Sequence, residues 1–200
     1  MLNSALEQHL SACEALVVGG STGAVEALKL LLPAVPEGAR IPVVVVLHLP
    51  SNRASLLTEI FAARCLARVR EPEDKEPIAP GYIWFAPANY HLLLEVDRRF
   101  SFSTDLPVNF SRPSIDVLFE SAADAFGEAL CCLVLTGANE DGAQGASSVR
   151  RQGGLVIVQD PNSAEAKQMP TAAISRANPH IVAGLPEIAR LIGLLTRAVP

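Results

Sequence analysis

The chain has 200 residues, of which half are apolar and 18% are charged. This length suits one domain with a well-buried core and is short for two. The 16 Lys and Arg residues against 21 Asp and Glu residues give a formal net charge of -5. That balance argues against a protein that gains affinity by neutralising nucleic-acid phosphates. We therefore expect a single domain over residues 1–200, with its core at about 15–197, and no nucleic-acid partner.

Cysteine spacing and the N-terminal sequence indicate the compartment. The four cysteines lack the paired spacing of a zinc site, so we expect no metal and reduced, mostly buried thiols. They are Cys13, Cys65, Cys131 and Cys132. The first residues do not resemble a secretory leader, and no apolar run approaches the ~18 residues that a membrane helix needs. We expect a soluble, cytoplasmic protein that is not inserted in a membrane.

The first half of the chain alternates short β-branched runs with helical patterns, which is typical of parallel βαβ units. Strands are predicted at 16–18 and 43–47, and helices at about 23–32 and 54–64. A third strand is predicted at 83–85. Two further runs, at 91–96 and 100–103, predict an antiparallel hairpin around Asp97-Arg98-Arg99, inserted between the parallel units.

The second half resumes the same alternation. The pattern predicts a helix from about 114 to 126 that ends at Gly127, a strand at 129–135 and a short helix ending near 152–154. Strands are predicted at 155–159 and 181–183, which are apolar apart from Gln159, as expected of fully covered parallel strands. Pro170 opens a helix between them at its first position, and Pro186 starts a terminal helix that ends near 197. The predicted fold is α/β: a doubly wound, mostly parallel sheet with helices on both faces and an inserted β-hairpin.

Three polar side chains follow predicted strands: Ser21, His48 and Asp141. In a doubly wound sheet the ligand crevice lies beyond the carboxyl ends of the strands, so topology can bring these residues together. Glycines on both sides of Ser21 permit a tight turn that lifts its Oγ from the sheet edge. Acyl transfer requires a hydroxyl nucleophile, a base, an acid that orients the base, and hydrogen-bond donors for the oxyanion. Ser21, His48, Asp141 and the backbone near Thr22 and Ala138 can supply one of each.

Each of these residues also has an ordinary interpretation. Ser21 alone suits a helix N-cap, His48 a hydrogen-bonded structural histidine, and Asp141 a turn or cap. The order Ser, His, Asp along the chain is not that of the α/β-hydrolases, chymotrypsin or subtilisin, so a bare G-x-S-x-G does not assign those families.

Five blocks taken in order carry a more specific pattern. They are Gly20-Ser21-Thr22-Gly23, Leu47-His48-Leu49-Pro50, the run from Arg112 to Phe119, Leu135-Thr136-Gly137 with Asp141-Gly142-Ala143, and Gln159-Asp160 with Met169-Pro170. Together they resemble the protein-glutamate methylesterase domain of bacterial chemotaxis, from about residue 15 to 183. The family's catalytic serine, histidine and aspartate match Ser21, His48 and Asp141.

This resemblance implies a Ser-His-Asp esterase that acts without a cofactor. Its implied substrates are glutamyl γ-methyl esters of membrane chemoreceptors, and it is also expected to deamidate certain receptor glutamines. The implied partners are the cytoplasmic helices of methylated receptors and other chemotaxis signalling proteins.

The sequence departs from the family pattern in three places. Ala138 and Asn139 stand where the family often has methionine and glycine, and because asparagine tolerates φ > 0 we expect the loop to keep its path. Ala24 replaces a frequent glycine at a helix start. The residues before the first strand leave no room for the family's usual receiver domain, which indicates a stand-alone esterase or part of a longer chain.

Other residues in these blocks keep two interpretations each. Arg112 either helps to dock an acidic receptor helix or is only solvated or ion-paired. His91 structures its loop, or serves as the general base in place of His48. Met169 lines the crevice or merely belongs to the start of a helix.

Two alternative functions of other classes remain. One is a non-enzymatic, Rossmann-like module that binds a nucleotide or phosphate at the 19–23 turn. Its G-x-G-x-x-G spacing is missing, as is an acidic residue about 20 positions on that would hold a ribose. The other is an interaction protein that has kept the fold and lost the activity.

Overall fold

The structure, a computed structural model, describes residues 4–48 and 56–197. In these residues, seven parallel strands form the central sheet. In chain order the strands are β1 (Ala15–Gly20), β2 (Val43–Leu47), β3 (Arg68–Arg70), β4 (Tyr82–Phe85), β5 (His91–Leu94), β6 (Phe100–Ser103), β7 (Leu130–Val134), β8 (Leu155–Gln159) and β9 (Ile181–Ala183). The helices are α1 (Ser4–Ala12), α2 (Ala24–Leu31), α3 (Leu57–Ala62), α4 (Ile115–Phe126), α5 (Ala143–Arg151), α6 (Gln168–Ala177) and α7 (Leu185–Thr196).

The strand order is β3-β4-β2-β1-β7-β8-β9, and every pairing in this sheet is parallel. The chain first builds outward from β1 through β2 to β4, then returns to the other side of β1 with β7. The strand order therefore reverses between β1 and β7. In an open parallel sheet this switch point, at the carboxyl ends of the strands, is where a ligand crevice forms.

Helices cover both faces of the sheet and enclose two separate cores. One core contains residues of α2, α3 and α7, and the other contains residues of α4, α5 and α6. The adjacent Cys131 and Cys132 belong to opposite cores, as the alternation of side chains along a strand requires. All four cysteines are free, with Cys65 half-buried and the others buried. The doubly wound α/β fold is confirmed.

The inserted hairpin is also confirmed, with β5 and β6 paired antiparallel in a sheet of their own. Phe100 of β6 packs against Trp84 of β4, with ring centroids 5.0 Å apart. Leu94 N in β5 bonds the Ser121 hydroxyl of α4 at 3.2 Å. The hairpin thus covers part of one sheet face and supports α4, whose N-terminus reaches the crevice.

Several predicted elements differ in the structure. The prediction omitted α1 and β3, and it placed Pro170 at the first position of a helix in which it is the third residue. Strand β9 was expected to be fully covered, but it is an edge strand with Val182 45% exposed. The helix predicted at about 54–64 corresponds to α3, which spans Leu57–Ala62. The predicted start, residue 54, lies outside the described residues.

Candidate active site

Ser21 and His48 are neighbours because their strands pair in register. Gly20 and Leu47, the last residues of β1 and β2, are register partners, so the next residue of each strand lies at the same edge. The His48 amide donates to Gly20 O at 3.3 Å, and the Ser21 amide donates to Thr136 O beyond β7 at 2.9 Å. The carboxyl ends of three adjacent strands therefore hold the serine and the histidine.

Asp141 accepts a hydrogen bond from His48 Nε2 at 2.7 Å and is fully buried. Its Oδ2 also accepts the Ile115 amide at 2.7 Å. Its Oδ1 accepts the Ser114 hydroxyl at 2.8 Å, the Asn109 side-chain amide at 3.0 Å and the Asp116 backbone amide at 3.1 Å. Since a carboxylate can only accept, Nε2 carries the proton, and Nδ1 of His48 is left as the ring nitrogen that can take one.

These contacts keep Asp141 ionised. Burial by itself would raise the pKa of Asp141, but the hydrogen bonds from His48, Asn109 and Ile115 and the charge of His48 hold it below its ordinary value. Two of the donors are backbone amides in the first turn of α4, where the helix dipole also favours a negative charge. Asp141 therefore caps α4, a helix distant in sequence, while it orients His48. Its interpretation as a cap and its assignment as the orienting acid do not exclude each other.

Ile115 packs the start of α4 against the end of β1 and the loop that follows β7. A Cβ built on Gly19 would lie 2.2 Å from Cγ2 of Ile115, and one built on Gly142 would lie 2.7 Å from the same atom. Only glycine at both positions allows this approach, and Gly142 also has φ 91°, in the left-handed region. The two glycines thus let the N-terminus of α4 come within hydrogen-bond distance of Asp141.

A second buried carboxylate, Asp116, lies beside Asp141. The Asn109 side-chain amide donates to both, at 2.9 Å to Asp116 Oδ2 and 3.0 Å to Asp141 Oδ1. Asp116 also accepts the Gly145 amide at 2.7 Å. Burial raises the pKa of Asp116 to about 6, and the charge of Asp141 acts in the same direction. Below about pH 6 Asp116 is therefore mostly protonated while Asp141 stays ionised, and Asn109 bridges them.

Ser21 has a very different environment. It is half-buried, and no described residue exchanges a hydrogen bond with its side chain. The N-cap of α2 is Gly23, with φ 80° and no capping side chain, so Ser21 does not have the helix-capping role that it would ordinarily suit. The amides of Thr22 and Ala138 likewise have no acceptor among the described residues. Among the described residues, the Ser21 hydroxyl and these two amides are thus unpaired groups in the loops that follow β1 and β7.

Thr136 joins the loops on either side of the crevice. Its hydroxyl donates to Thr22 O at 2.9 Å, and it accepts the Ala166 amide at 2.9 Å. Met169, fully buried, donates its amide to Gly137 O at 2.9 Å. The structure therefore gives Met169 a packing role beneath the loop, rather than an exposed place in the crevice.

Asn139 stabilises its loop through a side-chain hydrogen bond and not through the positive φ that was predicted. Its φ is not positive; instead its Oδ1 accepts the Asp141 amide at 3.2 Å, a local turn that asparagine side chains commonly form. Ala138 beside it is exposed. The substitution thus leaves an open surface at this point of the crevice.

A cavity of about 330 Å³ opens over the site, lined by His48, Asn89, Pro107, Phe110, Ser111, Arg112 and Pro113. The Arg112 guanidinium donates to Thr104 O at 2.7 Å and Asp105 O at 2.9 Å, so it braces a loop. His91 is buried, with Nε2 bonded to Leu106 O at 3.1 Å and Nδ1 accepting the Ser114 amide at 3.2 Å. Because both ring nitrogens of His91 are engaged, its contacts fit the loop-structuring interpretation and leave no nitrogen for a general base.

Glu165 lies against the N-terminus of α2. A Cβ built on Gly23 would lie 2.8 Å from Oε2 of Glu165. A carboxylate at this position repels a phosphate from the helix start, which argues against the nucleotide-binding alternative. Among the described residues, no group of His, Cys, Asp or Glu side chains could hold a metal ion, and no helix could span a membrane.

Sequence reasoning assigned no role to Asn109, Ser114 or Asp116, which surround Asp141. Ser114 and Asp116 fall in the Arg112 to Phe119 block, where a serine before an apolar helical run signalled a helix start. That signal could have identified a helix N-terminus able to bind a carboxylate. No local pattern indicates that Asn109 reaches Asp141, because the contact joins two separate loops.

A serine and an imidazole–carboxylate pair at one edge of a doubly wound sheet are the groups that a serine hydrolase requires. Comparison with known proteins shows to which family of hydrolases the chain belongs. The model of the CheB methylesterase family matches residues 16–192. The chain belongs to this family of hydrolases.

Individual relatives agree with this assignment. A Leptospira interrogans protein, provisionally named protein-glutamate methylesterase/protein-glutamine glutaminase, is 45% identical over 89% of this chain and 92% of its own length. A Trichodesmium erythraeum protein of the same name is 38% identical over 78% of this chain, but only 46% of its own length is covered. The crystal structure of the Thermotoga maritima CheB methylesterase catalytic domain superposes with a TM-score of 0.86 and 30% identity, over 91% of this chain and 98% of that one.

Proposed function

We propose that this chain hydrolyses glutamate γ-methyl esters on the cytoplasmic helices of chemotaxis receptors, and that it deamidates certain receptor glutamines. Membership of the CheB methylesterase family supports the reaction class. The observation that carries the mechanism is the 2.7 Å bond between His48 Nε2 and the buried Asp141, at the strand edge that also bears Ser21. The proposed catalytic residues are Ser21, His48 and Asp141.

In the first step, Ser21 Oγ attacks the γ-carbonyl carbon of the ester while His48 Nδ1 takes the serine proton. Asp141 keeps the other proton on Nε2 and stabilises the imidazolium that forms. The carbonyl oxygen becomes an oxyanion, for which the amides of Thr22 and Ala138 are the proposed donors. The intermediate then collapses, the bond to the methoxy oxygen breaks, and His48 returns its proton so that methanol leaves.

In the second step, water attacks the acyl-enzyme with His48 again as the base. The bond to Ser21 Oγ breaks, the serine recovers its proton from His48, and the free glutamate carboxyl group is released. A glutamine side chain follows the same path, with ammonia as the leaving group in place of methanol. One site thus accounts for both activities in the relatives' name.

The test is methanol release from a receptor cytoplasmic fragment that carries labelled methyl esters. We expect release by the wild-type chain and a loss of about 10⁴-fold or more in Ser21→Ala. Ser11→Ala is the matched control, because Ser11 is an exposed serine of α1 whose hydroxyl, among the described residues, bonds only Gln8 O, at 2.8 Å. Release by Ser21→Ala near the wild-type rate would overturn the assignment.

A further inference from the structure

A strained two-residue turn lies over the cavity beside His48. The amide of Val108 bonds Ser111 O at 3.1 Å, and the amide of Ser111 bonds Val108 O at 2.9 Å. The two residues between them, Asn109 and Phe110, have φ of 49° and 62°. Turns that need φ > 0 at both central positions favour Asn followed by Gly, because a bulky side chain is strained there. Phenylalanine is therefore an unfavourable residue at the second position.

Asn109 and Phe110 differ in what offsets the strain. The Asn109 amide bridges Asp116 and Asp141, so its conformation is fixed by two hydrogen bonds to buried carboxylates. The side chain of Phe110 is fully exposed, and no stacking contact with another described ring involves it. The fold of the described residues gives no packing reason for an aromatic residue at this position. A strained, exposed aromatic residue next to a catalytic site indicates a function in binding.

The loop that carries Phe110 is held rigidly at its base. Arg112 bonds the carbonyls of Thr104 and Asp105, and His91 bonds the carbonyl of Leu106. With Asn109 tied to the carboxylates, the loop from residue 104 to 112 is anchored at both ends and at its tip. Because the loop backbone is already held in place, binding through Phe110 costs little further backbone entropy, which favours a contribution to affinity.

The position of Phe110 identifies what would bind it. Phe110 and His48 line the same cavity, so a group that fills this cavity contacts both residues. Leu106 is 85% exposed and Val108 is 37% exposed, which extends the apolar surface along the loop. A second copy of this chain seated there would block the cavity. The body that must approach His48 is the polypeptide that carries the ester.

We propose that Phe110 docks the protein substrate by inserting into an apolar gap next to the esterified glutamate on the substrate helix. The inference rests on the proposed function and deepens it: Phe110 determines specificity for an ester presented on a protein over the same ester free in solution. It contacts the carrier polypeptide and takes no part in bond breaking.

The test compares two substrates in Phe110→Ala and Phe110→Gly. We expect kcat/KM for the methylated receptor fragment to fall by about tenfold or more in both variants. For a small blocked glutamate γ-methyl ester, kcat/KM should stay within about twofold of wild type. Phe110→Gly should also raise the melting temperature, because glycine relieves the positive φ. The matched control is Leu66→Ala. Leu66 is 72% exposed and lies just before the amino end of β3, whereas the candidate site lies at the carboxyl ends of the strands.

Each other outcome overturns the proposal in a recognisable way. Equal losses on both substrates would place Phe110 in the chemistry, and no loss on the receptor fragment would remove its docking role. If sedimentation shows a wild-type oligomer that Phe110→Ala dissolves without a change in kcat/KM, the partner is a second copy. A wild-type chain that hydrolyses the small ester but not the receptor fragment overturns the proposed function, and the docking role with it.

Discussion

The two ends of the proposed triad are built in opposite ways. Asp141 is fully buried and accepts hydrogen bonds from five donors, two of them backbone amides of α4. Ser21 is half-buried, and its side chain has no partner among the described residues. The fold organises the proposed orienting acid in advance and leaves the proposed nucleophile without a partner among the described residues. A change at Asp141 should therefore affect folding and chemistry together, and a change at Ser21 only chemistry.

Ser21→Ala gives the largest expected difference between activity and stability. We expect turnover to fall by about 10⁴-fold or more, while the free energy of unfolding changes by less than about 0.5 kcal/mol. Urea unfolding followed by circular dichroism, alongside the methanol assay, measures both. A stability loss of several kcal/mol would show that Ser21 supports the fold, and the contrast with Asp141 would fail.

Asp141→Asn should lower both turnover and the free energy of unfolding. An asparagine amide group would face donors that now bond a carboxylate, so we expect a loss of about 3 kcal/mol in unfolding free energy. Turnover should fall by about 10³-fold or more, because the tautomer of His48 is no longer fixed. Asp160→Asn is the matched control. Asp160 also follows a strand, but among the described residues its carboxylate bonds only Asn162, whose backbone amide donates at 2.9 Å and whose side-chain amide donates at 3.1 Å, in a local turn. A lost activity with unchanged stability in Asp141→Asn would contradict the account.

The buried neighbour Asp116 sets a pH dependence of stability. Its folded-state pKa of about 6 lies above the ordinary value of about 4, so its contribution to stability is fully present below pH 4 and is lost as pH rises through 6. Asp116→Asn does not titrate there. We expect the wild-type free energy of unfolding to fall by about 2 kcal/mol relative to this variant between pH 4 and pH 7.

Urea unfolding of both proteins at several pH values measures that difference. Asp141, with its lowered pKa, acts in the opposite direction, because its contribution is present above pH 4 and is lost as pH falls. Both proteins retain Asp141, so the comparison isolates Asp116. A difference that stays flat from pH 4 to pH 7 would mean that Asp116 titrates normally.

Asn109→Gly tests the bridge between the two carboxylates with the smallest expected effect. Glycine keeps the positive φ of the turn and removes only the amide. We expect turnover to fall on the order of tenfold, because Asp141 loses one of the donors that fix it. Steady-state kinetics on the small blocked ester measures this without the docking contribution of Phe110. Unchanged turnover would show that the other four donors position Asp141 without help.

The sequence predicts the central sheet well and its borders poorly. Strands β1, β2, β7 and β8 are buried and apolar, so a run of β-branched residues suffices to find them. Strand β3, Arg68–Arg70, is a short, polar edge strand that pairs only with β4, and such strands carry little apolar signal. The mistaken coverage of β9 has the same origin, because burial of an edge depends on what packs there.

The site divides in a similar way. The prediction that Ser21 and His48 share a sheet edge follows from the βαβ alternation, because the carboxyl ends of parallel strands lie at the same edge. The register of β1 and β2 agrees with it. The partners of Asp141 depend on how closely α4 approaches the sheet, and Ile115 packed against Gly19 sets that distance. Such a fit between side chains distant in sequence has no local pattern. Asn109 and Phe110 therefore emerge only from the folded structure.

Covalent labelling tests most directly whether Ser21 is the nucleophile that His48 and Asp141 activate. The native chain is treated with a serine-directed fluorophosphonate, and the adduct is located by mass spectrometry. We predict one adduct, on Ser21, that forms much more slowly in His48→Ala and not at all in Ser21→Ala. An adduct on another residue, or equal labelling of Ser21 in His48→Ala, would contradict the account.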